Sequence, residues 1–280
     1  CGLLQLNKLI SNMTFPYLKP LVYYILNKLF RFNLRPIDYS IGWGMRDEQS
    51  HLFLWGDTTK KLFNKRKNVQ IIGNPGADRF YNESYENIKD KEIIGKLNLR
   101  NTKSILISAI CISDVDSIVC QSTLTWYYEI VKNMKEYNVI IKIHPRDDKN
   151  DFSSLDLLSN LFIVKNEFVF SDLLRVSDLN ISHYSATSFD SILYGIPVIL
   201  LPLSAVTESN KLYWFDSDVF FKVKDIDSCI VSVRNLMISG CQDSKIRETF
   251  INDMFSLNFG LSGKKTAKEI VKIINFKRSL

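Results

Sequence analysis

The sequence predicts an α/β protein built on a doubly wound parallel sheet, and three observations lead there. Short runs rich in Val, Ile and Leu recur from residue 69 onward, at 69–72, 104–110, 139–143, 161–164, 179–182, 198–201 and 219–223. Between them lie stretches whose apolar residues fall three and four apart, the clearest at 123–136. The segment 177–202, SDLNISHYSATSFDSILYGIPVILLP, spells strand, hydroxyl cluster, short helix and strand in one line. Repeated β-then-α order implies parallel strands joined by crossover helices, with helices on both faces.

Taken in order, residues 1–66 form a helix-rich, basic and aromatic segment. Residues 67–262 form the Rossmann-like domain, and residues 263–280 a terminal helix with an apolar stripe at Ala267, Ile270, Val271 and Ile274. The first segment, residues 1–66, is too short for a βαβ-built domain of ordinary size, so it is expected to be an incomplete domain. The 280 residues are 46% hydrophobic and 24% charged, enough for two modest cores. The five cysteines are odd in number and lack the short paired spacing of a zinc or redox site, which reads as reduced thiols in the cytoplasm.

Chemistry concentrates in two places. In the first, 177–202, Ser185 is placed to cap a helix, Gly195 to end it, and Pro197 to prevent its continuation. Phe189, Ile192 and Leu193 fall on one helix face, and Thr187, Asp190 and Ser191 on another. Hydroxyls and N–H groups at Ser185, Thr187 and Ser188 suit a phosphate, and a carboxylate one turn further on, Asp190, suits a ribose diol. Hydroxyls alone would equally serve as caps of an ordinary helix. In the second place an apolar run, 139–143, ends in His144-Pro145. The carboxyl edge of a parallel sheet is where ligands bind, and an imidazole there can pair with phosphate or protonate a leaving group. Lys142 adds local positive charge and Pro145 shapes the turn.

In this order and about forty residues apart, Lys142-Ile-His-Pro145, Ser185-Ala-Thr-Ser-Phe-Asp190 and Gly195-Ile-Pro197 resemble the nucleotide-binding half of GT-B glycosyltransferases. More narrowly, they are similar to bacterial capsular-polysaccharide, polysialyltransferase and CDP-glycerol glycerophosphotransferase-like enzymes. The segment Gly73-Asn74-Pro75-Gly76-Ala77-Asp78 resembles one found near the domain junction in such proteins and in UDP-N-acetylglucosamine 2-epimerases. The resemblance implies a transferase that moves a sugar from a CMP- or UDP-linked nucleotide-sugar donor to a glycan or lipid-linked glycan acceptor, with no metal and no other cofactor. It implies that His144 stabilises the departing phosphate, that Ser185, Thr187 and Ser188 hold phosphate and that Asp190 holds the ribose. It also implies that the terminal helix crosses back to the amino-terminal part.

Two departures stand out. The ribose contact of the family is commonly glutamate, and here it is Asp190; the upstream segment reads Ile41-Gly-Trp-Gly-Met45, with no histidine until His51. Two other functions share parts of the pattern: a UDP-N-acetylglucosamine 2-epimerase, weakened by the absence of a Ser-Gly-Gly-x-x-Glu-Glu sequence, and a non-catalytic nucleotide-sugar-binding or scaffold subunit. No Gly-x-Gly-x-x-Gly follows the strand at 104–110, which disfavours a nicotinamide or flavin site. The net charge of +6 suits anionic ligands, but no nucleic-acid motif accompanies it. Residues 15–35 mix Lys and Arg with aromatic and aliphatic side chains, too interrupted to span a bilayer but suited to peripheral contact with the inner face of an anionic membrane.

Overall fold

The computed structural model describes residues 52–61, 68–78, 91–110, 117–147, 152, 155, 158–183, 185–202, 217–240, 243–256 and 260–278. The chain divides into two compact units, one of residues 1–52 and 66–68 and the other of residues 53–65 and 69–280. Almost all described residues belong to the second. The membrane-contact expectation for residues 15–35 and the departures at residues 41–51 lie outside the described residues.

The described elements are β1 (Leu52–Leu54), α1 (Asp57–Lys61), β2 (Val69–Ile71), α2 (Lys91–Leu97), β3 (Ser104–Ser108), α3 (Ser117–Asn133), β4 (Asn138–Lys142), β5 (Leu161–Val164), α4 (Phe170–Arg175), β6 (Leu179–Ser182), α5 (Thr187–Leu193), β7 (Val198–Leu200), β8 (Phe220–Lys222), α6 (Ile226–Ser239), α7 (Ser244–Phe255) and α8 (Ser262–Arg278). β1 and β2 form a two-stranded sheet. β2 falls within the strand expected at 69–72, whereas β1 was not expected in the helix-rich segment, because three residues are too few to display a period of two.

The principal sheet has six strands in the order β5-β4-β3-β6-β7-β8, and every pairing is parallel. Numbered from its own first strand this is the 3-2-1-4-5-6 order of doubly wound sheets, with the chain reversing its direction of travel between β3 and β6. The α/β Rossmann-like architecture expected from the sequence is therefore the observed one. Its apolar runs are buried on both faces, as a parallel sheet requires. Ile105, Ile107, Val139, Ile141, Leu179 and Ile181 pack with Tyr127, Ile130 and Val131 of α3 and Cys229, Val233 and Leu236 of α6. Leu106, Ile140 and Val164 pack with Ile93 of α2 and Leu173 and Leu174 of α4. Val198, Leu200 and Phe220 pack with Phe189 and Ile192 of α5 and Phe250, Ile251 and Met254 of α7.

Polar staples hold the amino edge of this sheet. The Asn138 amide accepts the Arg100 N–H at 3.1 Å and donates to the Arg100 carbonyl at 3.0 Å. The Asn160 amide donates to the carbonyls of Val131 and Met134, and the Asp178 carboxylate accepts the Ser104 N–H at 2.8 Å. At the end of the unit, the Asp78 carboxylate accepts the N–H groups of Ser262 (3.0 Å) and Gly263 (2.7 Å), capping α8 from a distant part of the chain. Gly56 is required by close approach: a Cβ there would stand 2.3 Å from the Asp253 carbonyl oxygen of α7.

Candidate functional site

All strands of the principal sheet run the same way, so the ends of β3, β4 and β6 open on one edge. Register sets Ser108, the last residue of β3, between Lys142 of β4 and Ser182 of β6. The two motifs therefore flank the switch point, separated by two strand spacings, or about 10 Å. That distance suits a nucleotide diphosphate lying across the tip of β3.

On the β4 side, Lys142 is half-buried and its carbonyl accepts the Ala109 N–H at 3.1 Å. Two residues on, half-buried His144 opens a single 3-10 turn, Pro145–Asp147. Pro145 is exposed at its first position, where a missing N–H leaves no hydrogen bond unmade. The His144 carbonyl accepts the Asp147 N–H at 2.8 Å, and its Nδ1 accepts the Arg146 N–H at 3.2 Å. A nitrogen accepting that bond carries a lone pair, so the ring's own N–H is on Nε2. The turn thus fixes both the placement and the tautomer of the imidazole.

On the β6 side the helix cap falls one residue later than the sequence indicates, at Ala186 instead of Ser185. The Ser185 N–H is bound to the His183 carbonyl at 2.8 Å, and this tight turn leaves Ala186 already helical (φ −59°, ψ −23°) in the capping position of α5. The Ser185 hydroxyl still acts locally, accepting the Thr187 N–H at 3.3 Å. Ser185, Thr187 and Asp190 are half-buried, with Asp190 in the first turn. Ser188 is placed differently from these: it is fully buried and its hydroxyl donates to the His183 carbonyl at 3.5 Å. α5 has only seven residues, so its macrodipole is small and binding rests on individual hydroxyl and N–H groups.

The far end of α5 is held firmly. Gly195 adopts φ +77°, and its N–H donates to the Ile192 carbonyl at 3.0 Å, the left-handed terminus read from the sequence. Arg247 of α7 donates Nε to the Ile192 carbonyl at 2.7 Å and Nη2 to the Leu193 carbonyl at 2.9 Å. Beneath the site runs a buried relay. Ser108 Oγ donates to Asn180 Oδ1 (2.8 Å), Asn180 Nδ2 to Ser191 Oγ (2.8 Å), and Ser191 Oγ to the Thr187 carbonyl (3.0 Å), tying β3, β6 and α5 together. Ser191, grouped with the binding face by its spacing, thus faces the sheet.

The sequence reading missed a second histidine. His183, one residue beyond β6, is 1% exposed, and its Nε2 lies 2.8 Å from the hydroxyl of fully buried Tyr127 on α3. The same phenol accepts the Ile110 N–H at 3.4 Å, just past β3. Burial pushes the Tyr127 phenol far above the ordinary tyrosine range; the Ile110 N–H works against that shift and the Asp147 carboxylate adds to it. His183 was detectable by the rule that singled out His144, a histidine just after a strand, whereas Tyr127 is indistinguishable in sequence from an apolar helix position. Among the described residues no three His, Cys, Asp or Glu side chains come together as a metal site would need, and no helix is long and apolar enough to cross a membrane.

The family model for CDP-glycerol:poly(glycerophosphate) glycerophosphotransferases matches residues 55–205, more than half of the chain and all of both motifs. The chain belongs to that family. Among solved structures, the wall teichoic acid polymerase TagF (H444N variant) superposes with a TM-score of 0.57 at 17% identity, over 82% of this chain and 59% of that one. The same variant soaked with CDPG gives a TM-score of 0.57 at 17% identity, over 81% of this chain and 58% of that one. A Methanocaldococcus jannaschii UDP-GlcNAc 2-epimerase, in complex with UDP-GlcNAc and UDP, gives 0.57 at 17% identity, over 81% and 61%. These likenesses agree with the GT-B-like fold expected of the family. This chain spans about three fifths of the length of these structures. No curated protein matches it in sequence.

Proposed function

We propose that this member of the family binds a CDP-linked donor across the tip of β3 and transfers the donor's phosphate-linked group to a hydroxyl of a polymeric surface-glycan acceptor. One observation carries the reading: the His144 turn and the Ser185–Asp190 turn stand on the two sides of the topological switch point, inside the segment that defines the family. The donor's phosphates would lie between His144 Nε2–H, Lys142 and the hydroxyls of Ser185 and Thr187, with the ribose diol against Asp190. The acceptor oxygen attacks the phosphorus of the transferred group and the bond to the bridging oxygen breaks. CMP departs, its developing charge met by the His144 N–H, and the acceptor's proton passes to a base. In the sugar-transfer variant the attack falls on the sugar carbon and the whole nucleoside diphosphate departs onto the same groups. Side chains supply the positive charge, so the reaction proceeds in the presence of a chelator.

Thermal denaturation of the chain with CMP, CDP, UDP and GDP tests this reading. A ligand that binds only the folded state at a hundred times its Kd adds about 2.7 kcal/mol of stability. The expected result is stabilisation by CDP and CMP ahead of UDP and GDP; equal, zero shifts for all four at millimolar ligand would refute nucleotide binding. The epimerase likeness favours one specific rival. Incubation with UDP-GlcNAc and analysis of the sugar decide against it if no epimer forms.

A further inference from the structure

We propose that Tyr127 and His183 are positioning residues: a buried brace that fixes the serine turn after β6 against α3 and the loop after β3, the strand across whose tip the donor phosphates lie. The inference rests on the nucleotide-binding reading above and deepens it. Its members join two of the loops at this edge from inside the core. Tyr127 projects from the middle of α3 into a core made of Ile105, Ile107, Ile141 and Ile181, where a phenylalanine would fill nearly the same space. Instead, its hydroxyl takes the Ile110 N–H from the loop after β3 and meets His183 Nε2 from the loop after β6. The two rings stand edge to face, with centroids 5.9 Å apart. The Asp147 carboxylate, at the end of the His144 turn, adds to the upward push on the phenol.

The other end of His183 carries the consequence to the site. Its carbonyl accepts the Ser185 N–H (2.8 Å), the Ser182 hydroxyl (3.0 Å) and the Ser188 hydroxyl (3.5 Å). The serine turn is therefore folded around one carbonyl, and the side chain of the same residue is bolted to α3. Apolar packing at this point would hold the loops together but not in one register, because dispersion contacts have little directionality. Hydrogen bonds in a dry interior do, and a satisfied polar pair there selects one arrangement. The phenol stays protonated because its surroundings disfavour a phenolate, so it keeps a proton to give to the imidazole while accepting the Ile110 N–H.

The test uses the whole chain, with CDP as the probe and calorimetry for its Kd. Tyr127→Phe removes both bonds and keeps the ring; His183→Leu removes one; His183→Gln keeps a polar group near the Nε2 position. A positioning role predicts that Tyr127→Phe and His183→Leu each weaken CDP about tenfold, or about 1.4 kcal/mol. His183→Gln should stay within about twofold of wild type, and the double variant Tyr127→Phe/His183→Leu should be no weaker than either single one, because both remove the same link. Wild-type CDP affinity in Tyr127→Phe or His183→Leu would overturn the brace while leaving nucleotide binding intact. Should Tyr127→Phe fail to fold, the two His183 variants decide, equal affinities overturning the proposal. If the wild-type chain itself does not bind CDP, the functional reading fails and the brace's role in donor placement fails with it.

Discussion

At the scale of single residues, the two histidines of this edge do different work because they stand at different depths. His144 is half-buried in a turn that consumes its Nδ1 and leaves Nε2–H as a donor, while His183 lies inside and holds the turn proposed to bind the donor. Removing one pre-oriented donor to a developing charge costs two to three orders of magnitude in rate. His144→Ala is accordingly expected to lower transfer from a CDP-linked donor about a hundredfold with a melting temperature close to wild type; a wild-type rate would remove His144 from the mechanism. The serines divide the same way. Ser185→Ala removes a half-buried hydroxyl at the site and should weaken CDP several-fold without loss of stability. Ser188→Ala removes an internal bond, worth no more than about 1 kcal/mol, and should lower stability while leaving CDP affinity unchanged. Paired calorimetry and denaturant titration of the two variants check this division.

At the scale of elements, short helices are defined here by what caps them. α5 has seven residues and no side-chain cap at its start, and its other end is fixed by Gly195 and the Arg247 fork. α6 is closed by a reciprocal box in which Asp225 Oδ1 accepts the Ser228 N–H at 2.7 Å and the Ser228 hydroxyl accepts the Asp225 N–H at 3.2 Å. The Ser228 N–H, with its hydroxyl, holds the Asp225 carboxyl below the ordinary aspartate range. A pKa lowered by folding stabilises the folded state above the unfolded value, about 3.9, and that contribution is lost as the pH falls through the lower folded value. Asp225→Ala should therefore reduce the melting temperature by about 2–4 °C at neutral pH, and the difference should close in acid. Scanning calorimetry across pH 2–7 would show it; a difference independent of pH would assign the loss to packing. These elements also show how much was legible. β5 and β6 match the sequence reading end to end, because apolar runs bounded by polar residues mark buried strands well. The start of α5 was displaced because a carbonyl inside the turn, at His183, captured the Ser185 N–H; that contact depends on tertiary placement, which periodicity does not encode.

At the scale of the whole molecule, one edge of the sheet is stapled by side-chain bonds to the main chain and the other carries the candidate site. Asn138, Asn160 and Asp178 occupy the amino edge with bonds to the main chain, while His144, Ser185, Thr187 and Asp190 gather at the other. The site's approximate address was readable because both motifs follow strands, and parallel strands bring their ends together. Its supporting layer was not, since Tyr127 meets His183, and Ser108 meets Asn180, only through tertiary placement. The bond from Asp78 to the start of α8 has a further implication, for the order in which the molecule is made. Its partners lie 184 and 185 residues apart in sequence. A chain emerging from the ribosome presents Asp78 ahead of the strands from β3 to β8, and these follow while the helix start that the carboxylate caps has yet to be synthesised. The sheet can thus assemble during translation before α8 emerges, and the latch can close only afterwards. Loop closure over such a span adds little to its thermodynamic cost, which grows only with the logarithm of length. The Asp78 latch then acts after the sheet in the order of synthesis, securing α8 once the six strands are available to pair.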